Sequence, residues 1–161
     1  MQKVNKNSPF FPDYTAQSLR EIDGVALQQA GILYVVFDLD ETLLPRKTNT
    51  VSPQFMQHIK SMQKQGLKVY IGSNTRRDIS KIAKKIGCQT IQATIVSFKP
   101  RKHFYRRLLQ TIGAKPENVV MIGDRILNDI VAANRAGITT ILVKPLARPK
   151  HRIYDWYISK I

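Results

Sequence analysis

The sequence predicts an α/β fold: a single doubly wound, Rossmann-like domain built around a central parallel sheet. Short apolar runs rich in β-branched residues alternate along the chain with segments of helical periodicity, which is the pattern of βαβ units whose strands are covered by helices on both faces. The 161 residues suit one hydrophobic core, and no internal repeat or interdomain linker interrupts them. We therefore expect one domain.

Four strands are predicted from these apolar runs. The first lies between Gly31 and Asp38, and its length and composition are those of a strand buried inside a parallel sheet. The others follow at regular intervals, so that a helix fits between each strand and the next. The predicted strands cover 32–37, 67–71, 119–122 and 139–143.

Helices fill the intervals, and glycines mark where they end. Ser52 is a suitable N-cap with a proline directly after it, so a helix should begin there and end at Gly66. Further helices are predicted within 15–30, after Thr75 up to Gly87, over 101–112 and over 128–136. Residues 1–14 contain too many prolines and aromatics for a regular element. The domain then divides into a helical lead-in (1–30), a catalytic core (32–143) and a basic, aromatic C-terminal tail (144–161).

Charge is the unusual feature of the composition. Twenty-six lysines and arginines against eleven aspartates and glutamates leave a net charge of +15, which favours phosphate-rich partners such as nucleic acid, an anionic membrane surface or a polyanionic small molecule. No apolar stretch approaches the ~20 residues of a membrane span, and no secretory signal is recognisable. Cys88 is the only cysteine, so an intrachain disulfide is excluded and the cytoplasm is the expected compartment.

Polar residues follow the predicted strands where those strands end. Asp38 and Asp40 come after the first strand, Ser73 and Asn74 after the second, and Asp124 after the third. Because ligands of open α/β sheets bind beyond the carboxyl ends of the strands, these side chains should share one crevice. Carboxylates that close repel each other unless a cation lies between them, and their oxygen atoms suit Mg²⁺, which accepts a substrate phosphate as a further ligand.

Four segments resemble the sequence motifs of the haloacid dehalogenase (HAD) superfamily. Residues 35–43 (VVFDLDETL) match its first motif, an apolar strand followed by Asp-x-Asp-x-Thr. Ser73 matches the second motif, Lys99 the third, and the acidic pair Asp124 and Asp129 the fourth. All four occur in the family's order over roughly two thirds of the chain. The resemblance implies a HAD-like fold and a phosphatase, that is, a phosphoric monoester hydrolase.

The resemblance also implies a role for each motif residue. Asp38 attacks phosphorus to form an aspartyl phosphate, and Asp40 protonates the leaving alcohol and then activates water. Ser73 and Asn74 bind the phosphoryl oxygens, while Lys99 offsets their charge and that of Asp38.

A metal site is implied by the same motifs. Asp38, Asp124 and the backbone carbonyl of Asp40 would bind Mg²⁺, Thr42 would stabilise the turn, and Asp129 would orient Lys99 or a metal-bound water. Two motif residues also have a purely structural interpretation: Ser73 as a helix N-cap, and Asp129 as a first-turn acid that opposes the helix dipole.

Within the superfamily, the chain resembles the YqeG-type branch, which is similar to the mitochondrial phosphatidylglycerophosphatases. This resemblance includes Pro-Asp-Tyr at 12–14, Gly-Asp-Arg at 123–125 and the segment 134–146. In this superfamily, lids are insertions between the first and second motifs and between the second and third. The intervals from Leu43 to Ile71 and from Thr75 to Lys99 are too short for them, so a capless (subclass III) site that admits bulky substrates is expected. Glu41 departs from the asparagine of this branch, and DLDETL resembles instead the protein-serine phosphatases.

Basic residues follow the same motifs and are candidates for binding substrate charge. They are Arg46, Arg76, Arg77 and Arg125. A positive crevice favours a phosphorylated anionic substrate, with phosphatidylglycerophosphate as the first candidate. Phosphatases of nucleic-acid ends, nucleotides or phosphoproteins would exploit the same charge. From a different class, a basic RNA- or ribosome-binding module with little catalysis also fits the composition.

Contact with the inner face of an anionic membrane is a further expectation, because basic surfaces adhere to such lipids. Four aromatic residues near the termini are candidates either for insertion at that interface or for packing onto the domain: Phe10, Phe11, Trp156 and Tyr157. The oligomeric state is not predicted by any feature of the sequence.

Overall fold

The computed structural model describes residues 1–5, 8–147 and 157–159. Its strands are β1 (Gln2–Lys3), β2 (Tyr14–Ala16), β3 (Tyr34–Phe37), β4 (Lys68–Ser73), β5 (Gln89–Gln92), β6 (Val119–Gly123) and β7 (Thr139–Val143). Over the described ranges they form one sheet in the order β1-β2-β7-β6-β3-β4-β5. The neighbouring strands are parallel apart from β1 and β2. The predicted α/β fold with a central parallel sheet is confirmed.

Strand register aligns the carboxyl ends of the central strands. Phe37, the last residue of β3, lies opposite Ile71 of β4 and Ile122 of β6. In the sheet, β4 and then β5 lie on one side of β3, and β6 and then β7 lie on its other side. The point at which the strand order reverses is where an open α/β sheet forms its ligand crevice, so the loops after β3, β4 and β6 are positioned to build one site.

The helices are α1 (Gly24–Gln29), α2 (Pro53–Lys64), α3 (Ser80–Ile86), α4 (Lys102–Ile112) and α5 (Ala132–Asn134). A π-helical segment, Ile126–Val131, leads directly into α5, and short 3₁₀ turns occupy Leu19–Glu21 and Pro116–Asn118. The α2 helix begins as predicted, since the Ser52 hydroxyl accepts a hydrogen bond from the Phe55 amide at 3.2 Å. No described helix has the length and apolar composition needed to cross a bilayer.

Side chains of the sheet alternate between two hydrophobic clusters, one on each face. Val35 and Phe37 contribute to a cluster that includes Ile59 of α2, whereas Val36 between them joins a cluster with Phe104 of α4. Both faces of β3 are therefore buried, and this explains why its sequence is uniformly apolar. The doubly wound arrangement of the prediction follows from this covering of both faces.

Three outer strands were not predicted: β1, β2 and β5. The helix expected within 15–30 is found only as α1, because Thr15 and Ala16 instead pair in β2 with β7. Asp23 limits α1 at its start, where its carboxylate accepts a hydrogen bond from the Val25 amide at 2.9 Å. The helix predicted over 128–136 is replaced by the π-helical segment and the single turn of α5.

The aromatic residues of the two termini pack together where the structure describes them. Phe11 stacks on Tyr157 with ring centroids 5.8 Å apart, and the Tyr157 hydroxyl donates a hydrogen bond to the Phe10 carbonyl. Packing onto the domain is therefore the outcome for Phe11 and Tyr157. Phe10 is half exposed and contacts the Arg135 guanidinium, while Trp156 and most of the predicted tail lie outside the described residues.

Candidate active site

A crevice of about 330 Å³ opens at the carboxyl ends of the central strands. Its lining comes from the loops after β3, β4 and β6 and from the segment around Lys99, as the strand-end rule predicted. The lining residues are Asp38, Asp40, Arg46, Lys47, Ser73, Asn74, Thr75, Arg77, Lys99, Arg125 and Asn128.

Lys99 lies buried at the floor of this crevice between two carboxylates. Its ammonium group donates hydrogen bonds to Asp38 Oδ1 at 2.5 Å, to Asp129 Oδ1 at 2.6 Å and to the Gly72 carbonyl at 2.9 Å. Burial lowers the pKa of Lys99, but the charges of Asp129 and Asp38 outweigh it and raise the pKa above its usual value. All three protons of the ammonium therefore have an acceptor, and the lysine holds Asp38 in a fixed position.

Asn74 fixes the backbone that carries Lys99. Its side-chain amide donates to the Lys99 carbonyl and its side-chain oxygen accepts from the Lys99 amide, both at 2.8 Å. This reciprocal pair ties the loop after β4 to the segment after β5. Ser73, the neighbour of Asn74, is buried at the end of β4, where its hydroxyl accepts a hydrogen bond from the Thr75 amide at 3.1 Å.

Asp129 is fully buried and connects the π-helical segment to the site. Its second carboxylate oxygen accepts a hydrogen bond from the Arg125 amide at 3.0 Å. Gly123 permits this approach, because a Cβ at that position would collide with the Asp129 carboxylate. The Tyr105 hydroxyl donates to the Asn128 carbonyl at 2.7 Å and holds the same segment from the side of α4.

Asp38, Asp124 and Asp129 form a cluster that fits a divalent cation. One carboxylate oxygen from each lies within 4.8 Å of the others, and hard oxygen donors of this kind suit Mg²⁺. Burial and the neighbouring carboxylates raise the pKa of Asp124 to about 7. Burial is also the main cause that raises the pKa of Asp129 to about 6, although Lys99 opposes it. The three carboxylates share one buried lysine, and a divalent cation among them would offset their remaining repulsion.

Asp40 lies outside this acidic cluster. Its carboxylate pairs with the Arg77 guanidinium, with Nη2 and Oδ1 2.7 Å apart. Burial raises the pKa of Asp40, while the charge of Arg77 opposes the shift. The carboxylate of Asp40 therefore faces the crevice mouth, and its assignment as a metal ligand through the backbone carbonyl stays a prediction. Thr42 contacts the cluster from this loop, since its hydroxyl donates to Asp124 Oδ1 at 3.2 Å.

The candidate cations divide into two groups. Arg46, Arg77 and Arg125 line the crevice, whereas Arg76 is exposed beside it and does not. Sequence reasoning did not assign Thr75, Asn128 or the buried Tyr105 to the site. Thr75 could have been found from its position, because it follows Asn74 in the loop at the end of β4. Tyr105 could not, because in the sequence it resembles any other core residue of an amphipathic helix.

Two family models match consecutive parts of the chain. Residues 35–98 match the family described as haloacid dehalogenase-like hydrolase, and residues 97–145 match one described as HAD-hydrolase-like. The boundary between the two matches falls within the segment that contains Lys99. Together they cover the strands, loops and π-helical segment that build the crevice.

Relatives extend the similarity over most of the chain. A Bacillus subtilis (strain 168) protein named "Probable phosphatase YqeG" is 30% identical over 139 residues, which are 86% of this chain and 79% of that protein. The Arabidopsis thaliana protein named phosphatidylglycerophosphate phosphatase 1, chloroplastic/mitochondrial, is 28% identical over 85% of this chain, but the chain spans only 41% of its length. A HAD-like family hydrolase from Porphyromonas gingivalis has the same fold, with a TM-score of 0.58, 15% identity and coverage of 80% of this chain and 98% of that one.

Proposed function

Because the chain belongs to the haloacid dehalogenase-like hydrolases and is a phosphatase of the YqeG type, we propose that it cleaves phosphomonoesters through an aspartyl-phosphate intermediate on Asp38. The observation that supports this most directly is the contact between Asp38 and Lys99 at the floor of the crevice, 2.5 Å long and shielded from solvent. A carboxylate held in one orientation by a buried cation is suited to attack an electrophile that enters from the open side.

In the first half of the reaction, an Asp38 oxygen forms a bond to phosphorus as the bond between phosphorus and the ester oxygen breaks. Asp40 gives its proton to the departing alkoxide, which leaves as the alcohol. Burial raises the pKa of Asp40, although the charge of Arg77 opposes this shift. The buried Ser73 hydroxyl and the Asn74 backbone bind the phosphoryl oxygens, and Lys99 offsets the charge that develops on them.

In the second half, the Asp40 carboxylate takes a proton from water, and the resulting hydroxide forms a new bond to phosphorus. The bond from phosphorus to Asp38 breaks, which releases inorganic phosphate and restores the carboxylate. Because Asp40 lies at the crevice mouth, it can reach both the leaving group and the incoming water.

Mg²⁺ is the metal we assign to the acidic cluster, with Asp38 and Asp124 as its side-chain ligands and the Asp40 carbonyl as a third. When bound, it supplies positive charge that offsets the repulsion between the attacking carboxylate and the phosphoryl group. Asp129 divides its carboxylate between Lys99 and the Arg125 amide, so we assign it to positioning Lys99.

For the substrate we propose a lipid phosphomonoester, phosphatidylglycerophosphate, hydrolysed at the inner face of the membrane. The name of the Arabidopsis relative supports this choice. So do the absence of a large cap over the crevice among the described residues and the three arginines that line it. A second anionic group on the substrate, such as a phosphodiester, would find cations at the rim beyond those that hold the reacting phosphate.

The test is phosphate release with Mg²⁺ from a panel: phosphatidylglycerophosphate in vesicles, a 3′-phosphorylated oligonucleotide, a phosphopeptide, nucleotides and an aryl phosphate. Asp38→Asn and chelation should abolish turnover of every member, and the exposed-site control Asp78→Asn should change nothing. Asp40→Asn should slow turnover ~10²–10⁴-fold and leave a phosphorylated protein visible by intact mass spectrometry. Phosphate release that survives Asp38→Asn would contradict the mechanism, and preference for another panel member would replace the substrate.

A further inference from the structure

Three apolar side chains stand out at the edge of the domain that carries the crevice. Ile95, Val96 and Leu127 are 84%, 70% and 61% exposed, more than any other large hydrophobic residue that the structure describes. Leu127 lies between Arg125 and Asn128, both of which line the crevice. Scattered exposed hydrophobic residues need no explanation. Here, however, the three most exposed ones follow β5 and β6 at one edge of the sheet, two in a loop and Leu127 in the π-helical segment.

Ile95 and Val96 form the tip of a closed turn. The Thr94 amide donates to the Ser97 carbonyl at 2.7 Å, and the Ser97 amide donates back to the Thr94 hydroxyl at 3.0 Å. Turn tips usually hold glycine, asparagine, aspartate or proline. Here the closed geometry presents two β-branched aliphatic side chains to solvent, where they add nothing to the stability of the fold.

The turn is fixed relative to the phosphate-binding residues. At its start the Ala93 amide donates to the Ser73 carbonyl at 2.8 Å, and at its end Asn74 holds the Lys99 backbone. The strand order places this turn, after β5, on one side of β3 and β4, and Leu127, after β6, on the other side. The apolar tips therefore flank the crevice along the sheet.

The same edge of the sheet also carries positive charge. Exposed cations at this edge are Arg46, Lys47, Arg76, Arg101 and Arg125 in loops, and Lys102 at the start of α4. Aliphatic side chains among lysines and arginines are the composition of surfaces that bind the interface of anionic bilayers, where each nearby cation contributes ~1 kcal/mol. Single-stranded nucleic acid is bound instead by cations combined with exposed aromatic rings, and the three tips are all aliphatic.

We propose that this edge of the domain docks on an anionic lipid bilayer, with Ile95, Val96 and Leu127 inserted among the acyl chains and the surrounding cations against the headgroups. Docking in this orientation turns the crevice toward the phosphates of the headgroup layer. The consequence of docking, hydrolysis of a phosphate in the headgroup layer, rests on the proposed function. Adhesion to the bilayer itself requires no turnover, so it is measured separately.

Sedimentation with vesicles made of equal parts phosphatidylglycerol and phosphatidylcholine tests the proposal. The full chain should bind these vesicles and not vesicles of phosphatidylcholine alone. The double variant Ile95→Ser/Val96→Ser should bind ~10-fold more weakly, and Leu127→Ser should weaken binding less. The matched control is Leu33→Ser, because Leu33 is 49% exposed but precedes β3 at the opposite edge of the sheet; its binding should equal that of the unaltered chain.

Charge is tested with a second matched pair. Lys102→Gln should weaken vesicle binding ~5-fold, whereas Lys115→Gln, an exposed lysine between α4 and β6 at the opposite edge, should not. The double variant Ile95→Ser/Val96→Ser should hydrolyse a soluble aryl phosphate at the rate of the unaltered chain. This measurement separates loss of docking from loss of catalysis.

Two outcomes would overturn the docking surface. One is equal vesicle binding by the double variant and the Leu33→Ser control. The other is no vesicle binding at all combined with salt-sensitive binding of an RNA oligonucleotide, which would make the basic edge a nucleic-acid surface. In either case, turnover of aryl phosphate that depends on Asp38 would leave the proposed function standing.

Discussion

The floor and the mouth of the crevice both contain paired charges, but the two pairs differ in their environment. At the floor, the side chains of Lys99, Asp38 and Asp129 are no more than 8% exposed. At the mouth, those of Arg77 and Asp40 are 26% and 30% exposed. A buried ion pair from which one partner is removed leaves an uncompensated charge, whereas an exposed pair is screened by water and salt. The floor should therefore control stability together with chemistry, and the mouth chemistry alone.

The largest effect is expected from Lys99→Met. Without the ammonium group, the buried carboxylates of Asp38 and Asp129 would face each other with no cation between them, so the free energy of unfolding should fall by about 3–5 kcal/mol. Turnover should also be lost, because the nucleophile loses the contact that orients it. Urea denaturation followed by circular dichroism measures the first effect, and aryl phosphate hydrolysis measures the second.

Lys102→Met is the matched control for this substitution, since Lys102 is exposed at the start of α4. Its free energy of unfolding should change by less than ~0.5 kcal/mol. If Lys99→Met were as stable as this control, the buried charges would not be coupled as the geometry indicates. The floor of the crevice would then contribute no more to stability than the mouth.

The next effect concerns metal binding at the acidic cluster. Mg²⁺ at ~100 times its dissociation constant should raise the free energy of unfolding by about 2.7 kcal/mol, and Asp124→Asn should remove most of this gain along with activity. In the metal-free state the same substitution should stabilise the protein, because it removes one of three carboxylates that lie within 4.8 Å of each other. Thermal melts with and without chelator provide the measurement. A metal-free Asp124→Asn protein less stable than the unaltered chain would contradict this account.

A similar contrast, between buried central strands and the outer strands of the sheet, explains which parts of the fold were predictable. The central strands β3 and β6 are continuous apolar runs because both faces are buried, and β7 is apolar after its two threonines. The sequence shows these runs directly. The outer strand β5 reads Gln-Thr-Ile-Gln, and only its pairing with β4 makes it a strand. The short β1 and β2 likewise depend on partners far away in the sequence, which no local pattern records.

For the site, the sequence indicates which residues the strand ends bring together, but not which contacts their side chains make. The strand-end rule gathered Asp38, Ser73 and Asp124, because parallel strands bring their carboxyl ends to one edge. The contact between Asp40 and Arg77 joins residues 37 positions apart, and the sequence offers several arginines of equal standing. Which of them reaches Asp40 depends on loop conformation, so only the structure could select it.

That contact gives the smallest and most selective prediction. Arg77→Gln should change the free energy of unfolding by less than ~1 kcal/mol, since both partners are partly exposed and the pair is screened. It should nevertheless lower kcat/KM for phosphatidylglycerophosphate ~10-fold or more, because a cation that lines the crevice and steadies Asp40 is lost. Steady-state kinetics and urea denaturation of the same preparation test the two halves together.

Arg76→Gln provides the control at the adjacent position, because Arg76 is exposed beside the crevice but does not line it. Since Arg76 also belongs to the proposed docking surface, both variants are compared on phosphatidylglycerophosphate in neutral detergent micelles, where docking on a bilayer does not contribute. If Arg77 has a specific role, Arg77→Gln should lower turnover far more than Arg76→Gln does, while the two variants have the same free energy of unfolding.

Comparison with an aryl phosphate then separates two contributions of Arg77. A loss on both substrates indicates the steadying of Asp40, whereas a loss confined to the lipid indicates binding of its second anionic group. If the two variants had equal kinetics, the arginines at the mouth of the crevice would act only by general electrostatic attraction of the anionic substrate, and not through a specific contact of Arg77.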